Sequence, residues 1–362
     1  MSDFVKGLEL NAQFYSEIVA PLLKTHFPNL EYSAALIGWG SEVLGYDDPV
    51  STDHNWGLRF QIFLSQHDCR EHSSSINQIL NEKLPPEFRG FPTDFEIRVN
   101  RDQRGERRED DAGRHNIDIE TIEGFFGRYL GCRQPDDELR AADWLTFPEH
   151  KLLAVTSGKV FYDGLNELGK IRQKLSCYPE NVWFYMLAAG WSGIFEQQAF
   201  VGRAGQAGDD LGSALIAARQ VKNLMRLGFL LERKYAPYGK WFGKAFSQLN
   251  CAARLEPIFE NVLRAKDWRE RQNALAETYK IVIGLYNELK ITSPMSEEIS
   301  EYFGRPFLVI RDETVVENLL AVITDEEIKN IRHNLGSVSQ FVDSGAQLNE
   351  TALIERLKVL YQ

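Results

Sequence analysis

Apolar residues at Phe4, Leu8, Phe14, Ile18 and Leu22 recur with a helical rhythm that stops before Pro28, which predicts a first helix. The rhythm then changes. Tyr32 to Ile37 is a short apolar run closing on Gly38-Trp39-Gly40-Ser41, and Trp56 to Leu64 is a β-rich run that begins just after Asp53-His54-Asn55, so both predict strands. A helix is expected over 74–84, stopped by Pro85-Pro86, with further strands at 95–99 and 116–119. The charged, glycine-containing stretch between those two strands predicts a long exposed hairpin loop. From about Asp143 the chain turns to long helical stretches rich in Trp, Leu and Ala, and near Arg305-Pro306 a strand-like piece, PFLVI, precedes two final helices. The expected class is α+β: an N-terminal mixed sheet with flanking helices over 1–135, a mostly α-helical domain over 136–292, and a C-terminal extension over 293–362.

Composition narrows the partners. A chain of 362 residues exceeds one ordinary core, which supports at least two domains. Its 41 Lys and Arg against 52 Asp and Glu leave a net charge of −11, which repels phosphate backbones and argues against extensive nucleic-acid binding. With 43% hydrophobic and 26% charged residues the chain should bury a large core. No apolar run reaches the roughly 18 residues of a membrane span, and the first residues are acidic before they are apolar, so neither export nor anchoring is expected. The cysteines at 69, 132, 177 and 251 are scattered and form no CxxC pair, which fits a reducing, cytoplasmic setting.

The chemistry concentrates between the first two strands. Gly40-Ser41 closes one and Asp53, followed at one remove by Asn55, stands at the mouth of the next. Small residues at 40 and 41 let backbone N–H groups and a hydroxyl come close to a triphosphate. Side chains at i and i+2 on a strand share a face, so positions 53 and 55 can serve the same pair of magnesium ions. A Gly-Ser turn followed by a DxD-spaced pair resembles the nucleotidyltransferases of the DNA-polymerase-β type.

The longer motif GSEVLGYDDPVSTDHNWGLR resembles more closely the bacterial nucleotidyltransferase-like proteins of the DUF4037 family. The likeness extends through DWLTFPEHKLLAVTSG, GRAGQAGDDLGS and ERKYAPYGKWFGKAF, and so covers most of the chain. More distant relatives of that family include the aminoglycoside nucleotidyltransferases. The resemblance implies a nucleotidyltransferase sheet, two magnesium ions, an NTP such as ATP as substrate, and transfer of a nucleoside monophosphate to a hydroxyl of an unidentified acceptor. A small molecule is the first choice of acceptor, a protein or tRNA the alternative, and a nucleotide-binding regulatory protein without catalysis a third. Asn55 departs from the pattern, where the resemblance implies a second aspartate. A neutral amide removes one charge from a site meant for two cations, and reduced activity follows as an expectation. The resemblance also implies a third carboxylate on a neighbouring strand, for metal or proton; Asp118 in NIDIETIEGFF is preferred, with Glu96 in FEIRV as the rival. The implied metal set is therefore Asp53, Asn55 and Asp118.

In the second domain Ser213 can cap a helix on which Arg219, Lys222 and Arg226 recur at i, i+3 and i+7, a stripe that suits a triphosphate or an ordinary solvated face with ion pairs. The Tyr235–Trp241 segment offers Tyr238 for stacking and Lys240 for a β/γ-phosphate, against the alternative that Tyr238 and Trp241 pack the core. Gly202–Gly208 predicts an interhelical loop in which Arg203 and Asp209 are available to a ligand, and Asp47-Asp48 a solvated turn. His67, Cys69 and His72 match no metal spacing, and His54 is expected to pack in the core.

Overall fold

The first apolar rhythm folds as α1 (Gly7–Phe14), which runs through a π turn (Tyr15–Val19) into α2 (Ala20–His26) and ends before Pro28. The computed structural model describes residues 4–50, 56–93, 115–135 and 139–362. Next come β1 (Tyr32–Leu36), β2 (Arg59–Leu64) and α3 (Gln66–Lys83). Helix α3 starts eight residues earlier than expected, because Ser65 caps it: its hydroxyl accepts from the Asp68 amide at 3.0 Å and donates to the Asp68 carboxylate at 2.7 Å. The polar opening turns carry too little apolar rhythm to reveal it. A minimal hairpin of β3 (Glu87–Phe88) and β4 (Phe91–Pro92) precedes β5 (Asn116–Thr121) and α4 (Ile122–Leu130), which Thr121 caps and Gly131 ends.

After α5 (Ala141–Thr146) and α6 (Glu149–Thr156) the chain forms β6 (Lys159–Asp163) and α7 (Leu168–Lys174). Strand β6 lies in a stretch whose pattern predicts helix throughout, and its five residues are too few to register between helical neighbours. The long helices follow: α8 (Glu180–Gln197), α9 (Phe200–Gln206), α10 (Asp210–Leu231), α11 (Gly239–Phe246), α12 (Ala252–Arg264) and α13 (Trp268–Glu288). Residues 202–206, expected as loop, are helical in α9, where the glycines serve close packing: a Cβ on Gly205 would collide with Trp268, and one on Gly202 would come within 2.5 Å of the Phe307 ring. Asp209, not Ser213, caps α10 by accepting from the Gly212 amide at 2.7 Å, while Ser213 is buried inside the helix. The expected single C-terminal strand is a hairpin of β7 (Ile299–Tyr302) and β8 (Arg305–Ile310), followed by α14 (Thr314–Ala321) and the short helices α15 (Glu326–Lys329), α16 (Val338–Phe341), α17 (Gly345–Asn349) and α18 (Thr351–Leu357).

The molecule is α+β. Its four-stranded mixed sheet has the order β5-β2-β1-β6, with β1 antiparallel to β2 and β6 and β2 parallel to β5. One sheet face, carrying Ala34, Leu36, Phe60, Ile62, Leu64 and Ile117, packs with Leu10, Phe14, Val19 and Ile76 into a core. The alternate positions, Ala35, Arg59, Gln61, Phe63 and Asp118, share the opposite face. Two compact units result: Met1–Glu138 with Lys151–Ser176, and Leu139–His150 with Cys177–Gln362. The second buries Trp191, Tyr279 and Tyr286 among its helices. No described helix is long and apolar enough to cross a membrane.

Candidate functional site

In the first unit, the connection leaving β1 is fastened by hydrogen bonds to β2 and α6. The Ile37 amide donates to the Gln61 side chain at 3.2 Å and the Gly38 amide to the Ala154 carbonyl at 3.0 Å. Gly38 and Gly40 take φ of +88° and +126°, a region L side chains avoid, and a Cβ on Gly40 would fall within 2.6 Å of both carboxylate oxygens of Glu42. Glu42 is only 1% exposed. It is neutralised by Arg59, whose Nε donates to Glu42 Oε1 at 2.9 Å and whose Nη2 also reaches the Trp39 carbonyl. Asn11 ties the same region to α1, accepting from the Arg59 amide at 2.8 Å and donating to the Gly57 carbonyl at 2.8 Å.

Asp47 corrects an expectation. It is buried, not solvated, and its carboxylate accepts from the Gly7 amide at 2.7 Å and the Trp56 indole at 3.1 Å, with Lys6 3.3 Å away. The turn is therefore fastened at both ends by buried charged groups, while Gly40 and Ser41 at its apex remain half-exposed and Trp39 is 49% exposed. Trp39 meets Tyr129 edge-on at 5.4 Å, Tyr129 stacks on Phe125 at 5.5 Å, and Phe125 meets Phe63 of the sheet at 5.6 Å. Lys151, 2% exposed, holds its ammonium 5.5 Å from the Tyr129 ring. Burial pushes the Tyr129 phenol well up, with Arg59 acting in the other direction.

Asp118 stands opposite Gln61 in the ladder, on the sheet face that carries Arg59, and its side chain is exposed. Glu120, next on that face, is paired with Arg128 at 2.8 Å. Asp53, His54, Asn55 and Glu96 lie outside the described residues. Among the described residues no group of three or more His, Cys, Asp or Glu side chains is disposed to hold a metal ion, so Asp118 is the one member of the expected metal set that is described. His67 lies 3.4 Å from Asp68 and His72 packs on Phe27 at 6.0 Å.

The remaining expected contacts belong to the second unit. Arg226 pairs with Glu149 at 3.1 Å and lies over the Phe242 ring at 5.6 Å. Burial pushes the Glu149 carboxyl up while Arg226 draws it back down, and Tyr178 and Tyr235 meet edge-on at 5.0 Å in the same cluster. Lys222 pairs with Asp343 and holds that carboxyl below its usual range; Arg219 is exposed. Lys240 is exposed with its ammonium 4.8 Å from the Trp241 ring, Tyr238 is 41% exposed, and Trp241 is buried. Arg203 lies 5.5 Å from Phe200. The structure thus brings Gly40, Ser41 and Asp118 into one unit and places Arg226, Tyr238 and Lys240 in the other.

Sequence reasoning passes over Glu42, Arg59, Glu149 and Lys151. The signal for the last two was the EHK triplet within DWLTFPEHKLLAVTSG, where consecutive charges sit inside an apolar helix and must find partners.

These features define an α+β protein whose mixed sheet presents a braced glycine-rich turn, joined to a largely helical unit. Residues 144–242, a span that includes Glu149, Lys151, Arg226, Tyr238 and Lys240, match the family described as a domain of unknown function, DUF4037. A nucleotidyltransferase-like protein of known crystal structure from Exiguobacterium sibiricum is similar over 78% of each chain, at 8% identity and a TM-score of 0.33. No curated protein matches the chain.

Proposed function

We propose that the protein is a magnesium-dependent nucleotidyltransferase that moves a nucleoside monophosphate from an NTP to a hydroxyl of a small-molecule acceptor. The observation that carries this reading is the Gly38–Glu42 turn: its Gly40-Ser41 apex is partly exposed, while the charged pair of buried Glu42 and mostly buried Arg59 packs closely beneath Gly40. Such a turn offers fixed backbone donors to phosphate oxygens without reorganisation. Asp118 adds an exposed carboxylate to the same sheet face, and Asp53 and Asn55 complete the proposed magnesium set. Magnesium would supply charge neutralisation on the phosphates. In the transfer the acceptor oxygen bonds to the α-phosphorus, the bond from that phosphorus to its bridging oxygen breaks, and the electron pair leaves with pyrophosphate. The acceptor's proton passes to a carboxylate, with Asp118 in that role.

Asn55 favours a second reading, a nucleotide-binding regulatory protein without turnover. Incubation with labelled ATP, GTP, CTP and UTP, magnesium, and aminoglycoside, protein and RNA acceptors separates the two. The transferase reading expects label on the small molecule and a gain of at least about tenfold in Asn55→Asp, since the restored carboxylate strengthens the metal site. Thermal stabilisation by nucleotide with no label moved in either form establishes the binding protein instead. Absence of both stabilisation and label rejects nucleotide chemistry altogether.

A further inference from the structure

Seven tryptophans occur in the chain, and six of them, at 56, 144, 183, 191, 241 and 268, are no more than 8% exposed. Trp39 is 49% exposed. Leaving that much indole in water is costly. The Trp39 carbonyl is held by Arg59, itself neutralised by the buried Glu42, and its ring rests edge-on against buried Tyr129, which is stacked on Phe125. An edge-on contact with an interplanar angle of 69° leaves much of the indole uncovered. The result is a large exposed aromatic surface with its backbone anchored and one edge supported.

We infer that Trp39 is the platform on which the base of the bound nucleotide stacks, an inference that rests on reading the adjoining Gly40-Ser41 turn as the phosphate-binding element. Trp39 directly precedes that turn, so a nucleotide whose phosphates lie on the amides of the apex brings its ring within reach of the indole. Every base presents a π-face, so an indole platform selects for a planar heterocycle and discriminates poorly among the four bases. Arg59 anchors the Trp39 backbone and Tyr129 supports one edge of the ring, so part of the ordering cost of stacking is met before a ligand arrives.

The test compares two ligands that share phosphates and differ in the base: magnesium ATP and magnesium tripolyphosphate. Binding of each is measured by titration calorimetry to the full chain and to Trp39→Ala and Trp39→Phe. Stacking on an aromatic side chain predicts that Trp39→Ala weakens ATP binding by about tenfold or more, leaves tripolyphosphate within about twofold, and that Trp39→Phe recovers most of the loss. Unchanged ATP affinity in Trp39→Ala overturns the platform. An equal loss for both ligands also overturns it, because Trp39 would then be shaping the turn and not holding a base. If the full chain binds neither ligand, the phosphate-turn reading itself fails and takes the platform with it, an outcome distinct from the other two.

Discussion

The Gly38–Asp47 turn of the first unit and the cationic stripe of α10 in the second both have the chemistry to meet a triphosphate, yet they are built in opposite ways. In the turn the charged side chains are buried, with Glu42 Oε1 on Arg59 and Asp47 on the Gly7 amide, while Glu42 Oε2 finds no hydrogen-bond partner among the described residues. On α10 two of the three cations are already engaged, Lys222 at the surface by Asp343 and mostly buried Arg226 by Glu149. A ligand that recruits Lys222 or Arg226 must compete with the carboxylate each already holds. The number of cations on a helix face is therefore a weaker guide to an anion site than the way a turn is held.

Breaking the support of the turn should have the largest effect. Arg59→Ala strands Glu42 in the interior and is expected to cost about 4 kcal/mol, the scale of removing one partner of a buried pair; denaturant unfolding measures it, and a loss under about 1 kcal/mol would mean that the pair does not brace the turn. Glu149→Ala, which leaves Arg226 without its carboxylate in a mostly buried setting, should cost somewhat less, about 3 kcal/mol on the same scale.

Glu149 also carries a pH signature. Because burial raises its folded-state value, the unfolded chain releases that proton first, so wild-type stability falls as pH climbs from the ordinary carboxylate range through the raised value and is flat beyond it. Glu149→Gln removes this decline. The stability difference between variant and wild type should therefore shift in the variant's favour as pH rises from the ordinary carboxylate range through the raised value, and a constant difference would contradict the assignment. The smallest effect belongs to the exposed pair: Asp343→Asn should change stability by no more than about 0.5 kcal/mol and lose even that in high salt.

How far the sequence reveals this arrangement depends on how local each feature is. The two strands around Gly40-Ser41, the position of Asp118 on a strand and the mixed sheet are legible, because apolar runs and a glycine-serine closure are short-range patterns. Strand β6 escapes, being five residues between helices, and its pairing with β1 joins Ser33 to Asp163 across 130 positions. Asp47 reads as a surface acid since nothing nearby in sequence announces that the Gly7 amide and the Trp56 indole converge on it. Arg226 reads as an available cation for a similar reason: Glu149, its partner, lies 77 residues earlier. The glycines of α9 mislead because close helix packing and loop freedom call for the same residue.

The central claim, that the Gly40-Ser41 turn and Asp118 together grip the phosphates of a nucleotide, is tested most directly by titrating magnesium ATP into the full chain, Ser41→Ala, Asp118→Asn and the double variant. We expect each single change to weaken binding about tenfold with the thermal midpoint unmoved, and the double variant to lose at least as much as either, since one hydroxyl donor or one metal-facing carboxylate is worth roughly 1–2 kcal/mol. Affinity unchanged in all three variants, with the wild type binding ATP, would place the nucleotide elsewhere and contradict the claim.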